Sequence, residues 1–334
     1  MTNKKVIYGQ FFTKEDVWLK QQIIDFIKST KTAVAYDPFA GAGDLLNVAK
    51  KLGYKELKGL DKDEKLNWDL NDSLVNIPSI KNAIIITNPP YISNYSAARK
   101  GVFDNLKHYF EDSIYDDVYL IALDKMLKAE EYVVAIIPET FINSNYQNKD
   151  RLNSITILED NPFTDTDTPV IIACFDGKNK TLDKVKIYKN ETYINTLGDI
   201  EKLRLYPNRD VDIKFNDKDG WLGVRCVDTT NPKDMLRFDF KENIDYDWTK
   251  GIKVSSRLLT LVSISMEEDK RKAFIKECNH ILNDIRDKTN DIILSPFKGN
   301  MKNGRRRRRL DFLTCRAILE NAYHKTVVDK EKHS

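Results

Sequence analysis

The sequence predicts an α/β fold in the first half of the chain, with a mostly parallel sheet and helices on both faces, followed by a smaller α+β region. Short apolar segments alternate there with segments of helical periodicity, which is typical of parallel strands joined by helices. The last two apolar segments, residues 154–163 and 169–177, instead have the spacing of an antiparallel hairpin. The alternation stops near Gly177, where we place a domain boundary.

The elements of the first domain, residues 1–177, follow from the spacing of apolar residues. A helical period predicts helices over residues 14–29, 43–53 and 118–130. Short apolar runs predict strands over residues 32–39, 55–63, 83–91, 132–142, 154–163 and 169–177. Ligands of an open α/β sheet bind beyond the carboxyl ends of its strands, so the loops that follow these strands are the first places to search for a functional site.

Composition narrows the class of protein. The 334 residues are 41% hydrophobic and 31% charged, as in globular rather than disordered chains. Because the sequence has neither an apolar stretch of membrane-span length nor a signal peptide's apolar region, we expect a cytoplasmic protein. Widely separated cysteines without a CxxC pair argue against a disulfide framework and predict no metal site: Cys174, Cys226, Cys278 and Cys315.

The second domain, residues 178–334, is polar and ends in a basic segment. One helix is predicted over residues 267–285. Between Phe297 and Asp311 there is no acidic residue but a cluster of cations, which predicts a phosphate-binding surface: Lys298, Lys302, Arg305, Arg306, Arg307, Arg308 and Arg309. A solvated arginine-rich loop is the alternative. We favour a folded surface because an apolar-periodic helix follows the run directly.

Two strand ends carry residues suited to a nucleoside. The first strand is followed by "DPFAGAGD", where Gly41 and Gly43 permit a tight turn and close approach of a ligand. This loop lacks the ending of a triphosphate loop and the third glycine of a dinucleotide site, where Leu46 stands. Asp61 ends the next strand, roughly 20 residues further on, where an acid typically holds ribose hydroxyls. An ordinary surface acid is the alternative for Asp61.

A third strand end carries "NPPY", residues 88–91. The exocyclic amino group of a base is a poor nucleophile because its lone pair is delocalised into the ring. Two acceptors that engage both amino hydrogens free that lone pair, and the Asn88 side-chain oxygen and the Pro89 carbonyl are suitable. Two prolines hold both acceptors still, and Tyr91 is suited to stack on the base. A rigid turn without function is the alternative.

"DPFAGAGD" followed by "NPPY" resembles the S-adenosylmethionine-dependent amino methyltransferases, specifically the DNA adenine-N6 methyltransferases of restriction-modification type. "YGQFFT", residues 8–13, is similar to the segment that these enzymes carry before the sheet, and the order of motifs matches their gamma class. The resemblance covers about the first 175 residues. It implies a Rossmann-like methyltransferase fold, S-adenosyl-L-methionine as the cofactor, base flipping, and a C-terminal target-recognition domain. It also implies double-stranded DNA as substrate, a bacterial or phage origin, a possible cognate restriction endonuclease, and a monomer or dimer.

The resemblance assigns a role to particular residues. It places the cofactor among Tyr8, Gln10, Phe11, Thr13, Asp37, Ala40, Gly41, Asp61, Asp69, Leu70 and Asn88. Asp69 with Leu70 would hold the cofactor's adenine, although helix capping is an alternative for Asp69 or Asp72. It makes Asn88, Pro89, Pro90 and Tyr91 catalytic, and Phe163 a second aromatic against the flipped base, with a hairpin core residue as the alternative. Asp61 departs from the family, in which glutamate is common at this position.

Three other functions compete with this interpretation. An NPPY loop serves equally well for methylation of glutamine in translation release factors, but those enzymes usually carry a helical domain before the sheet, and here the glycine loop starts at residue 37. Methylation of ribosomal RNA bases uses the same chemistry. A catalytically inactive DNA-binding subunit is a rival of another class, against which the intact motif residues speak.

Overall fold

The computed structural model describes residues 15–164, 166–250 and 258–328. The chain divides into two compact units, Met1–Asp199 and Ile200–Ser334. The mixed α/β class and the mostly parallel sheet expected from the sequence are confirmed in the first unit.

The first unit is built on one sheet of nine strands in the order β3-β2-β1-β4-β5-β7-β6-β8-β9. Its strands are β1 (Val34–Asp37), β2 (Glu56–Asp61), β3 (Asp69–Leu70), β4 (Ala83–Thr87), β5 (Tyr132–Pro138), β6 (Leu152–Ile157), β7 (Val170–Phe175), β8 (Lys186–Lys189) and β9 (Thr192–Thr196). The five strands from β3 to β5 in this order pair in parallel. β7 is antiparallel to both β5 and β6, as expected for the terminal hairpin.

Helices cover this sheet because its central strands are apolar on both faces. The helices are α1 (Glu15–Trp18), α2 (Gln21–Thr30), α3 (Asp44–Lys51), α4 (Asn94–Arg99), α5 (Phe103–Glu111), α6 (Val118–Ala129) and α7 (Leu197–Lys202). Val134 and Ile136 of β5 belong to the hydrophobic cluster that also contains α3 side chains. The alternating residues Val133, Ala135 and Ile137 are buried as well, so both faces of β5 are covered.

Two local expectations differ from the structure. The helix expected over residues 14–29 is two helices, because Lys20 has an extended backbone between α1 and α2. Residues 186–196, expected in the second domain, form β8 and β9 at the edge of the first sheet, where β8 pairs in parallel with β6. The boundary between compact units therefore falls after Asp199 rather than after Gly177.

The second unit contains a four-stranded antiparallel sheet in the order β10-β13-β11-β12 and a separate two-stranded ribbon, β14-β15. Its strands are β10 (Ile213–Phe215), β11 (Leu222–Arg225), β12 (Arg237–Phe240), β13 (Leu259–Ile264), β14 (Ser295–Asn300) and β15 (Arg306–Arg309). Its long helices are α8 (Glu268–Lys288), which covers the predicted helix except for its first residue, and α9 (Phe312–Tyr323). Apolar residues of α8 such as Phe274, Leu282 and Ile285 are buried. This is an α+β arrangement, as the sequence predicted.

Short helical turns complete both units at Glu139–Asn143, Gln147–Arg151, Leu182–Lys184, Lys241–Asn243, Trp248–Lys250 and His324–Val328. All four cysteines are buried free thiols. In the described ranges no helix is long and apolar enough to cross a membrane.

Candidate active site

The glycine loop connects β1 to α3 at the carboxyl end of the sheet. Gly41 and Gly43 have φ angles of 51° and 86°, a left-handed region that glycine adopts without strain. The loop is tied to the neighbouring strand, since Ala40 N donates to the Leu60 carbonyl oxygen at 2.9 Å. Gly41 N donates to Asp61 Oδ2, also at 2.9 Å. The predicted glycine loop and the predicted ribose acid are therefore in direct contact.

Asp61 ends β2 and uses both carboxylate oxygens to shape the backbone around it. Oδ2 accepts from Gly41 N and Oδ1 accepts from Asp63 N at 2.9 Å. Each carboxylate oxygen has further lone-pair capacity. The carboxylate is thus fixed beyond the strand end, where an open sheet binds its ligands.

Asp37 is the buried acid of the site, with 2% of its surface exposed. Its Oδ1 accepts from the Thr87 hydroxyl at 2.6 Å and from Phe39 N at 3.0 Å. Burial raises the pKa of Asp37 to about 7, against the opposing effect of these two hydrogen bonds. Thr87 is the residue before Asn88, so this bond joins the glycine loop to the NPPY loop. Thr87 was not predicted as a site residue, because a threonine in an apolar strand carries no local signal.

The NPPY loop leaves the end of β4, where all five strand residues are buried. The Tyr91 hydroxyl contacts Asn88 Oδ1 and lies 2.6 Å from the carbonyl oxygen of Ile136 in β5. Burial raises the pKa of Tyr91 well above its usual value, so its hydroxyl stays protonated. Pro89 is buried, whereas Asn88 and Pro90 are partly exposed. The loop therefore holds its amide on a rigid strand end.

Phe163 lies beside Tyr91, as the resemblance implied. The two ring centroids are 6.0 Å apart with an interplanar angle of 63°, an edge-to-face contact. Phe163 is 2% exposed and belongs to the hydrophobic cluster under the sheet. The structure brings the two predicted aromatic residues together, and in this arrangement Phe163 is also a core residue, which was the alternative considered for it.

The adenine end of the expected cofactor site is less well matched by Asp69. Asp69 lies inside β3 and pairs its carboxylate with Lys58, and both side chains are substantially exposed. Leu70 is 63% exposed. Asp72 instead follows the end of β3, where its carboxylate accepts from Leu74 N at 3.1 Å and from the Tyr109 hydroxyl. Because ligands bind beyond strand ends, position favours Asp72 over Asp69 for this contact.

Four expected cofactor residues, Tyr8, Gln10, Phe11 and Thr13, lie outside the described residues. Within residues 15–164, 166–250 and 258–328, no group of three or more His, Cys, Asp and Glu side chains is arranged to hold a metal ion.

The predicted basic surface is a β-ribbon rather than a loop. β14 and β15 pair antiparallel, and the helix α9 begins only after Asp311, whose carboxylate caps Thr314 N at 2.8 Å. The exposed cations lie at and near the hairpin turn: Lys298, Lys302 and Arg305. We call these three residues the ribbon tip.

Two arginines of β15, Arg307 and Arg308, are engaged in contacts within the protein or buried in it. The Arg307 guanidinium donates to the Asp228 carbonyl oxygen at 2.7 Å and lies 4.8 Å from the Phe297 ring centroid. Arg306 and Arg309 are partly exposed. Arg308 is 3% exposed, so the expectation that it contacts DNA phosphates is wrong. Strand alternation turns its side chain inward.

A buried ion network anchors the ribbon. Arg286 of α8, 5% exposed, donates to both carboxylate oxygens of Asp228, at 3.0 and 2.9 Å, and to Asp291 at 2.6 Å. Asp228 also accepts from the backbone N of Arg308 at 2.9 Å, and Asp291 accepts from Arg305 at 3.0 Å. Burial alone would raise the pKa of Asp291, but the neighbouring arginines hold it below its usual value. The network holds the backbone of Arg308 within β15 and the side chain of Arg305, which precedes this strand.

Comparison with known families gives an independent view of the first unit. Residues 11–165 match the model of the Eco57I restriction-modification methylase family. This segment is similar to a restriction-modification methylase domain. The match confirms the resemblance seen in the sequence and, with it, S-adenosyl-L-methionine as the cofactor. No curated protein matches the chain significantly.

Several solved structures resemble the chain in part. A class I S-adenosylmethionine-dependent methyltransferase from Listeria monocytogenes aligns at 14% identity and a TM-score of 0.35, covering 56% of this chain and 65% of that one. A type I restriction-modification methyltransferase subunit from Streptococcus thermophilus aligns at 16% identity and a TM-score of 0.35, covering 56% and 51%. The M protein of the type I restriction enzyme EcoKI aligns at 12% identity and a TM-score of 0.35, covering 81% and 69%. The chain thus spans less than two thirds of the first two proteins.

Proposed function

We propose that the protein is a site-specific DNA methyltransferase that transfers a methyl group from S-adenosyl-L-methionine to the N6 amino group of adenine in double-stranded DNA. The target base is flipped out of the duplex for this reaction. The enzyme is the modification component of a restriction-modification system, with a cognate restriction endonuclease as its partner in the cell.

The observation that carries this proposal is a hydrogen bond between the carboxyl ends of β1 and β4. The hydrogen bond from Thr87 to Asp37, at 2.6 Å, joins the start of the glycine loop to the residue before Asn88. The residues proposed for the cofactor and for the amino group therefore lie at the ends of adjacent parallel strands, since β1 pairs directly with β4. Proximity of this kind replaces a bimolecular encounter by a reaction between held groups.

The NPPY residues act on the target amino group. Asn88 Oδ1 and the Pro89 carbonyl oxygen accept its two hydrogens, which releases the nitrogen lone pair from the ring. A preorganised acceptor pair of this kind is already aligned with the charge that develops during transfer. Tyr91 supplies aromatic surface for the base, Phe163 packs edge-to-face against Tyr91, and the Tyr91 hydroxyl leaves Asn88 when the amino group arrives.

The residues around the glycine loop fit the cofactor. Asp37, when ionised, pairs with its ammonium group, and Asp61 accepts from its ribose hydroxyls. Asp72 takes the adenine position expected of Asp69. The backbone at Ala40 and Gly41 allows the methionine part to lie close to the chain. S-adenosyl-L-methionine supplies the methyl group from its sulfonium when bound.

The second unit supplies the DNA interface. The ribbon tip offers three exposed cations, and the segment from Phe297 to Asp311 contains no acidic residue before Asp311. Phosphate contacts of this kind give affinity without sequence information. A two-stranded ribbon fits the major groove of B-form DNA, which suits the ribbon for target recognition.

The chemistry of the NPPY loop also fits methylation of a glutamine amide or of an RNA base, so the substrate has to be tested directly. The protein is expressed in a host without DNA methylation, and modified bases in the host genome are sequenced. We expect N6-methyladenine within one short sequence motif. An unmodified genome, with methylated ribosomal RNA or release factor detected by mass spectrometry, would replace the proposal by one of these alternatives.

A second measurement addresses the possibility of an inactive DNA-binding subunit. Calorimetric titration with S-adenosyl-L-methionine should give stoichiometric binding. A chain that binds DNA without binding the cofactor would support the inactive subunit instead.

A further inference from the structure

Trp68 lies against the glycine loop, although nothing in the proposed chemistry uses it. It precedes β3, and its indole Nε1–H donates to the carbonyl oxygen of Gly41 at 2.9 Å. Gly41 N, on the other side of the same residue, donates to Asp61 Oδ2 at 2.9 Å. Both peptide groups that flank Gly41 are therefore held by side chains, in the left-handed conformation with φ of 51°.

Two glycines make room for the indole. A Cβ atom at Gly59 in β2 would lie 2.3 Å from Trp68 Cε3, and one at Gly43 would lie 2.8 Å from Cζ2. Such distances are far inside van der Waals contact. Gly43 also needs glycine for its φ of 86°, but Gly59 lies in an ordinary strand, where glycine often marks the close approach of another group. The space at Gly59 is therefore explained by the ring of Trp68.

We propose that Trp68 is a positioning residue that holds the glycine loop in its cofactor-binding conformation. The inference rests on the proposed cofactor site. Without the indole, the Gly41 carbonyl loses its partner and the peptide can rotate, so part of the binding free energy is spent on ordering the loop. Trp68 acts through the loop and through Asp61, and so it should change cofactor affinity rather than the rate of methyl transfer.

The first test replaces Trp68→Phe, which keeps an aromatic ring but removes the N–H donor. We expect the dissociation constant for S-adenosyl-L-methionine, measured by calorimetry, to rise about fivefold, the effect of one neutral hydrogen bond. The kcat at saturating cofactor should stay within about twofold, since transition-state contacts are untouched. Trp248→Phe is the matched control, because Trp248 also donates to a backbone carbonyl, that of Lys241 at 2.8 Å, in the other unit.

The second test disturbs the packing of Trp68 by changing Gly59, the glycine against which the indole lies. Gly59→Ala should push the indole off the loop and weaken cofactor binding by about as much as Trp68→Ala does. In the Trp68→Ala background the added methyl group meets no indole, so Gly59→Ala should have no further effect on affinity. Additive losses in the double variant would show that Gly59 acts independently and would overturn the inference.

The outcomes separate this inference from the proposed function. Wild-type affinity in Trp68→Phe, or a fall in kcat with affinity unchanged, would overturn the positioning role alone. A wild-type chain without affinity for the cofactor would overturn the proposed function, and the inference with it.

Discussion

The glycine loop and the β14–β15 ribbon are both held by carboxylates, but in different ways. At the glycine loop, Asp37 and Asp61 accept hydrogen bonds mainly from backbone N–H groups and from one hydroxyl. At the ribbon, Asp228 and Asp291 pair with the Arg286 guanidinium inside the second unit. The hydrogen bonds of Asp37 and Asp61 fix the loop backbone at the proposed cofactor site. The ion pairs of Asp228 and Asp291 instead hold the ribbon through buried side chains.

The difference follows from what each region has to present. The proposed methyl transfer needs acceptors held within narrow limits of position, and the residues proposed for it lie at strand ends and are partly buried. Phosphate binding, proposed for the ribbon tip, needs exposed charge, and the tip is exposed to solvent while the ion network behind it is buried. The ion network therefore stabilises the second unit, and the loop hydrogen bonds set the geometry of the cofactor site.

The largest expected effect comes from removing Asp228. Asp228→Ala leaves the Arg286 charge buried beside a single carboxylate, which should destabilise the second unit by about 3–5 kcal/mol. Denaturant unfolding should show this loss, together with weaker DNA binding, while affinity for S-adenosyl-L-methionine stays unchanged. Asp284→Ala is the control, because its ion pair with Lys288 is exposed and contributes little. Equal loss of cofactor binding would contradict the independence of the two regions.

Asn88→Ala should affect only the catalytic region. We expect methyl transfer to fall by at least about 100-fold, comparable to the loss of an oxyanion-type acceptor, while cofactor binding is retained. Radiolabelled transfer assays and calorimetry measure the two quantities. Asn94→Ala, in the helix that follows the NPPY loop, is the control. Near-normal turnover in Asn88→Ala would reject the role of this amide.

Much of the first unit could be predicted because its strands are apolar on both faces. β1, β2, β4, β5 and β7 lie within the expected segments, and β6 begins two residues before its segment. β8 and β9 were missed because edge strands need not be apolar, and their residues are mostly polar. The break between α1 and α2 has neither Gly nor Pro to mark it, so no local signal predicts it.

Parts of the candidate site could be predicted where a short motif determines the arrangement of its residues. Parts that depend on contacts between residues far apart in the sequence could not be predicted. Asp37 and Asp61 end their strands and Asn88 follows β4, so strand order alone places all three at the carboxyl end of the sheet. The burial of Arg308 depends on Asp228, 80 residues earlier, and on the alternation of a strand without any apolar pattern. Trp68 was overlooked and Asp72 was considered only as a helix cap, because their contacts are with β2, the glycine loop and α5.

The raised pKa of Asp37 predicts a pH-dependent cofactor affinity. Since burial raises this pKa to about 7, the carboxyl becomes neutral below that pH and loses its attraction for an ammonium group. Affinity should therefore fall as pH drops below 7, approaching about tenfold per pH unit. Calorimetry between about pH 6 and about pH 8 measures this, and the steepness should disappear in Asp37→Asn but persist in Asp104→Asn, a change at an exposed acid.

The stability of the cofactor-free protein should respond to Asp37 in the opposite sense. A carboxyl whose pKa is higher in the folded than in the unfolded state binds more protons when folded. Its contribution to the free energy of unfolding therefore increases as pH falls through 7 toward about 4. Cofactor affinity that also increases toward low pH would contradict an ionic role for Asp37.

The smallest effect is expected at the ribbon tip, where single charges are removed without disturbing the fold. Lys298→Gln with Lys302→Gln should weaken binding to all duplexes alike and flatten the slope of log affinity against log salt by about 0.9 for each lost phosphate contact. Fluorescence anisotropy at several salt concentrations, with cognate and scrambled duplexes, measures both. Lys272→Gln with Lys276→Gln, at exposed positions on α8, is the charge-matched control.

Arg305 sharpens the same comparison, because it is exposed and also touches the buried network through Asp291. If Arg305 binds a phosphate, Arg305→Gln should act like the lysine changes. If it reads a guanine, the loss should be about 1–3 kcal/mol at a single base position, with relaxed specificity there. An unchanged affinity and salt slope in both the double lysine variant and Arg305→Gln would mean that the tip is a solvated surface. The DNA interface would then have to lie elsewhere in the chain. The proposal that a buried ion network supports an exposed phosphate-binding tip would be wrong.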